Sequence, residues 1–426
     1  MDILANINDP GGLERLYRKD KVQFKNDFDL IYPEIKDNML AGFWNERLNF
    51  ENNDAVLLST IEKEHENTEN SKSSFDLLFI IIASLLAGVI AKLPDFFNLN
   101  EEFFYPRNIG FIFFPLLIIF FAWKNNLVQK KSIGIAAIVL SAIVFMNLLP
   151  GDMNSSTLKL SAIHLPLFLW TISGYAFTGG DLKSYSKKLE FLRFNGDVLI
   201  VIAPILISGA ILTALSSLLF SLIDINVKEF YFRYIGIMGL SAAPIVAAYI
   251  VRSNPKLVSK VSPIIAKIFS PLVLLTLAVY LTAMLFSGKN IYSDREFLLA
   301  FNFLLIGVMA IILFSVAGSF NKKEYKAGSI ILLALSVLTI IINCIALSAI
   351  LYRIKELGFS PNRLAVLGSN ILMLWNLLLV AFRLYRNVSN KADISEVENS
   401  ITMFLPVYSV WTLIVVVIFP FVFWFK

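Results

Sequence analysis

Eleven apolar stretches, each long enough to cross a bilayer, occupy this chain from about residue 75 to its end. A hydrocarbon core about 30 Å thick needs roughly 20 apolar residues in helical form. Inside lipid, only helices and closed barrels satisfy their own backbone hydrogen bonds. The pattern therefore predicts an all-α fold, a polytopic transmembrane helical bundle of about 11 spans with a small helical cytoplasmic N-terminal region.

The predicted spans cover residues 75–93, 108–123, 132–150, 158–178, 198–223, 231–251, 262–287, 297–319, 327–352, 363–386 and 401–425. The second of these is short, and a re-entrant or interfacial segment there would change the number of crossings. The division into domains that we expect is residues 1–74, a cytoplasmic helical region with a tether, and residues 75–426, the transmembrane domain.

Composition supports a membrane protein and argues against other classes. Hydrophobic residues make up 57% of the chain and charged residues 16%, against about 25% charged in an ordinary soluble domain. The net charge of +5 comes from positive residues in loops beside the spans, which does not indicate nucleic-acid binding. The single cysteine, Cys344, lies within a span, so neither a disulfide framework nor a thiolate metal site is expected. No cofactor is predicted.

The positive residues also predict an orientation, because Lys and Arg accumulate on the cytoplasmic side of a membrane. The N-terminal region and alternate loops carry 26 of the 37 positive residues, and the opposite loops carry 11. Without the N-terminal region the split is 17 to 11. The first residues, 1–9, are polar and do not resemble a cleavable signal, so the first span directs insertion. We expect a cytoplasmic N-terminus, an odd number of spans and an external C-terminus.

The N-terminal region reads as a helical hairpin. Asp9 is placed to cap a helix that begins at Pro10. Apolar residues follow at helical spacing, with a second group after Pro33: Leu13, Leu16, Tyr17, Phe24, Phe28 and Ile31, then Phe43, Trp44, Leu48 and Phe50. Basic residues between them form an opposite face: Arg15, Arg18, Lys19, Lys21 and Lys25. Such a hairpin can pack on the bundle, lie on the anionic leaflet, or bind a protein partner. Residues 51–74 are polar and charged and predict a flexible tether.

Three segments resemble a known family. The stretch YRIKELGFSPNRLAVLGSNILMLWNLLLV from Tyr352 is similar to part of a bacterial membrane family catalogued as a domain of unknown function, number four-one-five-three. The openings MDILANINDPGGLERLYR and AGFWNERLNFE resemble the N-terminal extension of its Bacteroidetes-like members. The resemblance implies a bacterial cytoplasmic (inner) membrane protein and brings neither an activity nor catalytic residues.

Polar residues inside spans are the first candidates for function, because they are costly in lipid. His164 lies near Pro166 in the fourth span and can be a proton carrier, a ligand or a hydrogen-bonded packing residue. Asparagines occupy three C-terminal spans: Asn302, Asn343, Asn370 and Asn376. They can line a polar path or simply hydrogen-bond neighbouring helices together.

Charges at the predicted outer ends of helices are the second candidates. They lie at three helix mouths: Arg233, with Glu229; Asp294, Arg295 and Glu296; Arg353, Glu356 and Arg363, with Asn362. Mixed charges placed in this way can bind an anionic or zwitterionic substrate. Alternatively, they form a solvated rim of mutual ion pairs.

Enzyme motifs are weak. Gly-Asp pairs like those of intramembrane aspartyl proteases occur at residues 151, 180 and 196, but all lie in loops or at span ends. The chain has no phosphate-binding glycine loop and no His-Glu-x-x-His. Three hypotheses remain: a transporter of a small solute or lipid, a non-catalytic membrane scaffold or sensor acting through the N-terminal region, and a membrane-embedded transferase. The expected partners are the lipid bilayer and a protein at the N-terminal region. The sequence leaves the oligomeric state open.

Overall fold

Helices dominate the computed structural model, which describes residues 2–150, 155–221, 228–254, 261–286, 295–317 and 325–425. No strand occurs in these ranges. Within these ranges, only the backbone is described at residues 51–74, 218–221, 228, 261–269, 280, 283–285, 295–300, 303, 313–314, 317 and 325–327. The chain divides into two compact units, Met1–Phe79 and Ile80–Lys426.

The first unit begins with two short helices, α1 (Pro10–Lys19) and α2 (Lys21–Ile35). The Asp9 carboxylate accepts a hydrogen bond from the Gly11 N–H at 3.0 Å, which confirms the predicted cap. Asp20 separates the two helices and caps α2 by accepting from the Gln23 N–H at 3.0 Å. Two acidic caps in sequence therefore set where both helices start.

The core of this unit joins α1 and α2 to the start of α3 (Met39–Ala91). Its largest buried side chains are Leu13, Tyr17, Phe24, Phe28, Trp44 and Leu48. Phe43 and Phe50, predicted in the same apolar group as Trp44, are instead 62% and 69% exposed. The reason is helical geometry: Trp44 and Leu48 are four residues apart on one face, and Phe43 and Phe50 share another. Arg18 and Arg47 hydrogen-bond Glu14 and hold the pKa of its carboxyl below the ordinary value.

The backbone of residues 51–74 is helical, as part of α3. The sequence predicts a flexible tether there, so the structure differs from the expectation. Polar composition alone does not separate an irregular tether from a polar helix, because charged residues such as Glu and Lys have good helix propensity.

The second unit continues with α4 (Leu93–Phe97) and then consists of long helices. They are α5 (Glu101–Lys124), α6 (Gln129–Leu148), α7 (Ser156–Phe177), α8 (Tyr185–Ser221), α9 (Lys228–Phe230), α10 (Ile237–Ser253), α11 (Val261–Phe286), α12 (Arg295–Ala317), α13 (Tyr325–Leu357) and α14 (Pro361–Val388). The chain ends with α15 (Ile394–Met403), α16 (Leu405–Leu413) and α17 (Phe419–Val422).

Among the described residues, eight helices are long and apolar enough to cross a membrane. They cover Glu101–Lys124, Gln129–Leu148, Ser156–Phe177, Tyr185–Ser217, Tyr231–Ser253, Gly328–Leu357, Pro361–Val388 and Ile394–Val422. Shorter apolar helical stretches run over Phe75–Ala91 and Ser270–Val279. The predicted all-helical class with several membrane-suited helices is therefore confirmed.

The expectation of a short second span is wrong. Helix α5 has 24 residues and starts at Glu101, because the Asn100 side chain caps it by accepting from the Glu102 and Phe103 N–H groups. Polar residues in its first turns hide this start in a hydropathy pattern. Arg107, counted among loop charges from the sequence, lies inside this helix and is fully buried.

Contacts between helix ends fall into two sets. One set joins residues at the predicted outer ends: Arg107 with Pro150, Arg233 with Asp95, Ser155 with Phe425, and Asn362 with Ser156. The other set joins residues at the predicted cytoplasmic ends: Asn125 with Phe177, Arg252 with Asn125, Lys131 with Gly180, and Arg193 with Glu398. Helix α5 takes part in both sets: Arg107, near its start, contacts Pro150, and Asn125, at its end, contacts Phe177.

The last apolar segment is irregular. Between α16 and α17 the chain makes a π-helical turn, Ile414–Ile418, which shifts carbonyls out of the usual hydrogen-bond ladder. The Ser161 hydroxyl of α7 donates to the Val416 carbonyl at 2.9 Å. A neighbouring helix thus satisfies backbone that a π-turn leaves open, as lipid requires.

Candidate functional site in the C-terminal helices

Three of the predicted asparagines meet between α12, α13 and α14. The Asn370 amide nitrogen donates to Asn302 Oδ1 at 3.1 Å. The Asn343 amide nitrogen donates to the backbone carbonyl of Asn370 at 3.0 Å. These residues are 68 and 27 positions apart in sequence, so only tertiary packing brings them together. We call this group, Asn302, Asn343 and Asn370, the amide cluster.

The fourth asparagine lies outside this cluster. The Asn376 amide nitrogen donates to the Tyr408 hydroxyl of α16 at 3.0 Å. His164 also stands apart, since its Nδ1 lies 2.9 Å from the Leu160 carbonyl of its own helix. Of the five residues predicted to line a polar path, three are therefore in contact with one another, and the other two, Asn376 and His164, have separate partners.

Asn343 is the unusual member of the amide cluster. Its side chain is fully buried, and its Oδ1 atom has no hydrogen-bond partner. The assignment of oxygen and nitrogen in the Asn343 amide is fixed. Its nitrogen must face the Asn370 carbonyl, because a carbonyl oxygen can only accept a hydrogen bond. Asn376 Oδ1 also lacks a partner, but exchanging its amide oxygen and nitrogen would let the Tyr408 hydroxyl donate to it. Of these two described asparagines, Asn343 alone keeps an unsatisfied acceptor whichever way its amide is assigned.

Buried hydroxyls continue the polar face of α13 beside Asn343. Ser336 and Thr339 precede it by seven and four residues, which places all three on one side of the helix. Each hydroxyl donates to the carbonyl four residues earlier, at 2.8 and 2.6 Å. Their oxygen lone pairs therefore remain as acceptors.

Buried apolar residues lie within three positions of each asparagine of the cluster. Phe301, Ile342 and Met373 neighbour the three asparagines in sequence and are buried in one core cluster. Within the described residues, the amide cluster is held by hydrogen bonds to an amide oxygen and a backbone carbonyl, which are uncharged at every pH. The arrangement can hold a polar group by hydrogen bonds and offers no acid or base for proton transfer.

The predicted outer charges have separate partners. Arg233 contacts Asp95 through Nη2 at 2.7 Å and Nε at 3.1 Å. Lys92, only 2% exposed, pairs with the same carboxylate and lies 4.6 Å from the Tyr234 ring centroid. Hydrogen bonds from Lys92 and then Arg233 hold the pKa of the Asp95 carboxyl below its ordinary value. Arg233 thus belongs to a closed ion-pair group.

Arg363 is also engaged locally. Its Nη1 donates to the carbonyls of Leu357 and Gly358 at 2.9 and 2.8 Å, at the end of α13. Arg353 and Glu356 lie in the last turns of α13. Arg353 is half-buried and Glu356 is exposed. Asp294 and the side chains of Arg295 and Glu296 lie outside the described residues. The described contacts do not assemble the three mouths into one binding site.

Sequence reasoning missed a second amide group. Asn108 and Asn147 donate to each other's Oδ1 at 3.0 Å, and each also donates to a carbonyl of its own helix. This reciprocal pair joins α5 to α6. The only sequence signal was an asparagine near the predicted edge of each of two consecutive spans. Unlike Asn343, both amides are satisfied.

The fold defines a helical protein whose long apolar helices fit insertion into a membrane. No protein-family model matches the sequence, and neither the curated proteins nor the solved structures give a significant match. The family resemblance drawn from the three sequence segments therefore stays a prediction, and the function has to be argued from the residues.

Proposed function

We propose that this chain is a multi-pass membrane protein that moves a small solute across the bilayer through the region of the amide cluster. One observation carries the proposal: Asn343 presents a buried, unsatisfied amide oxygen, while its amide nitrogen bonds Asn370, which in turn bonds Asn302. Its position supports a transport site, since Asn343 lies near the middle of the apolar range Gly328–Leu357. Transporter sites are found near the bilayer midplane.

The unsatisfied oxygen also favours a second conformation. A buried acceptor without a donor costs about 1–3 kcal/mol. Packing α12, α13 and α14 together therefore carries an energetic penalty, which is relieved when a solute or water reaches Asn343. A closed state with this penalty and an open state without it are the two states that alternating access requires.

Thiol labelling tests this proposal. Cysteine placed singly at Asn302, Asn343 or Asn370, in a Cys344→Ala background, is expected to react with a small water-soluble thiol reagent. Phe359→Cys, at a residue 74% exposed in the turn before α14, is the positive control. Leu351→Cys, on an exposed apolar face of α13, is the lipid-facing negative control. Labelling restricted to the positive control would mean that the asparagines only pack helices together.

The proposed topology has eleven crossings, a cytoplasmic N-terminus and an external C-terminus. Its support is the charge split of 26 to 11 together with the two sets of contacts between helix ends. Each contact in those sets joins two ends that the alternation assigns to one side. The apolar surface and the family resemblance support a bacterial cytoplasmic membrane as the location.

A scaffold or sensor role is the second candidate, favoured by the N-terminal unit. This unit has its own aromatic core and exposes Met39, Phe43 and Phe50. Exposed apolar residues of this size are typical of contact surfaces. A protein partner bound there would act independently of solute movement.

Deleting residues 1–70 separates the two candidates. Because the unit forms its own core, the shortened protein is expected to insert and to stay monodisperse in detergent. Solute flux that persists while the cellular effect of the protein is lost would assign a scaffold role to the N-terminal unit. Aggregation of the shortened protein would show that the unit is an integral part of the bundle.

A further inference from the structure

We infer that the solute is small, uncharged and rich in hydrogen-bond donors, such as a short polyol, and that it binds Asn343 Oδ1. The inference rests on the proposed transport function and adds the chemical class of the substrate. It follows from which hydrogen-bonding groups near Asn343 are already used and which remain.

Two amide donors of the cluster and both hydroxyls beside it already have acceptors. The Asn343 and Asn370 amide nitrogens donate to the Asn370 carbonyl and to Asn302 Oδ1. The Ser336 and Thr339 hydroxyls donate to their own helix. An anion taken out of water into a membrane interior needs a counter-charge, and these four groups are uncharged. The site therefore does not fit an anionic solute.

The acceptors remain open. Asn343 Oδ1 has no partner, and the Ser336 and Thr339 oxygens retain lone pairs on the same face of α13. A solute with several hydroxyls matches such a row of acceptors, because each O–H donates to one of them.

A cation fits less well than a neutral donor. A metal cation held by protein oxygens takes about six or more ligands, usually with carboxylates among them. The described groups on this face of α13 are one amide oxygen and two hydroxyls, all uncharged. Removing a full charge from water without a counter-charge is costly in a membrane interior, whereas a neutral polyol loses only hydrogen bonds that these acceptors replace.

The residues next to the asparagines in sequence suit the carbon chain of such a solute. Phe301, Ile342 and Met373 are buried in one apolar core cluster and supply an apolar wall beside the polar face. A short polyol can place its hydroxyls on α13 and its carbon chain against this wall.

Flux through the full-length protein in proteoliposomes tests the inference. Erythritol entry, followed by light scattering after an osmotic step, is expected to exceed that of protein-free vesicles by at least about tenfold. Asn343→Leu should abolish this excess, since one lost hydrogen bond to a buried group is worth about a tenfold change. Ser336→Ala, which leaves the helix packing nearly unchanged, should reduce it by about threefold.

Asn147→Leu is the control, because it removes a half-buried asparagine of an apolar helix whose amide is satisfied by Asn108. Its erythritol flux should equal that of the unaltered protein. Equal flux in the Asn343→Leu and Ser336→Ala variants would overturn the site.

Different results would contradict the inferred class of solute and the proposed transport function. Sodium or chloride flux without erythritol flux, while Asn302→Cys still reacts with the thiol reagent, overturns the neutral solute and leaves transport standing. Absence of both flux and labelling overturns transport itself and the inference with it.

Discussion

Asp95 shows how a single carboxylate can organise charged groups at one end of the helices. It accepts from Arg233 and pairs with Lys92, a lysine that is almost fully buried. A buried cation is tolerated only when it is paired. The predicted outer charge Arg233 therefore acts first as a partner of Asp95. This pairing was not predictable, because the two residues are 138 positions apart in the chain.

Asp95→Asn is expected to destabilise the protein by about 3 kcal/mol, because it leaves Lys92 buried without its counter-charge. Thermal unfolding in detergent measures the effect. Glu356→Gln, at an exposed carboxylate on α13, is the control and should change stability by less than about 0.5 kcal/mol. Equal stability of the two variants would show that Lys92 does not depend on Asp95.

The same contact predicts a pH dependence. The folded-state pKa of Asp95 is lowered by Lys92 and Arg233, so its stabilisation is fully present above the ordinary carboxyl pKa of about 4. It is lost as the pH falls through the lower folded-state pKa. Unfolding temperatures of the unaltered protein and Asp95→Asn should therefore converge below about pH 4 and differ at neutral pH.

Helix packing in the second unit depends on a close approach of two elements at a glycine. Gly368 of α14 lies against the indole ring of Trp411 in α16, and a Cβ at Gly368 would overlap that ring. The indole Nε1 donates to the Ser369 hydroxyl at 2.9 Å. The last apolar segment thus packs on α14 through the Trp411 indole ring and one hydrogen bond.

Gly368→Ala is expected to destabilise the protein by about 1–3 kcal/mol, because the tryptophan must move. Gly239→Ala is the matched control, since Gly239 is also helical and a Cβ there meets no atom within 4 Å. Without a clash, alanine gains up to about 1 kcal/mol of helix propensity. Unfolding temperatures in detergent should therefore move in opposite directions, and a stabilised Gly368→Ala would contradict the packing.

The whole molecule combines a small N-terminal unit with a larger helical unit that exposes many large apolar side chains among its described residues. Large side chains such as Leu206, Leu275 and Trp375 are exposed on its long helices, as lipid-facing residues would be. The contacts between described helix ends join ends that the proposed topology places on one side. The two ends of α5 belong to different sets, so the proposed topology requires this helix to cross the membrane.

Reporter fusions test this topology. A reporter active only in the cytoplasm is expected to work at the N-terminus and after Asn126, and to fail after Asn98 and after Lys426. The fusions at Asn98 and Asn126 bracket α5, so equal activity at both would show that this helix does not cross. Activity at both chain termini would mean an even number of crossings.

The sequence by itself determined the helical class, the positions of most long helices and the faces of the N-terminal helices. These follow from local rules: apolar length sets a membrane-suited helix, and spacing of three or four residues sets its buried face. The cap at Asp9 was predictable for the same reason. The start of α5 and the helical backbone of 51–74 were not, because polar residues blur a hydropathy pattern.

Tertiary structure alone decided which polar groups meet. The sequence placed asparagines in three C-terminal spans, but the rotation of α12, α13 and α14 about their axes determines that Asn302, Asn343 and Asn370 face each other. The same rotation leaves Asn343 Oδ1 without a donor and gives Asn376 to Tyr408. Helix rotation is set by the sum of many weak packing contacts between distant segments, and no short stretch of sequence contains that sum.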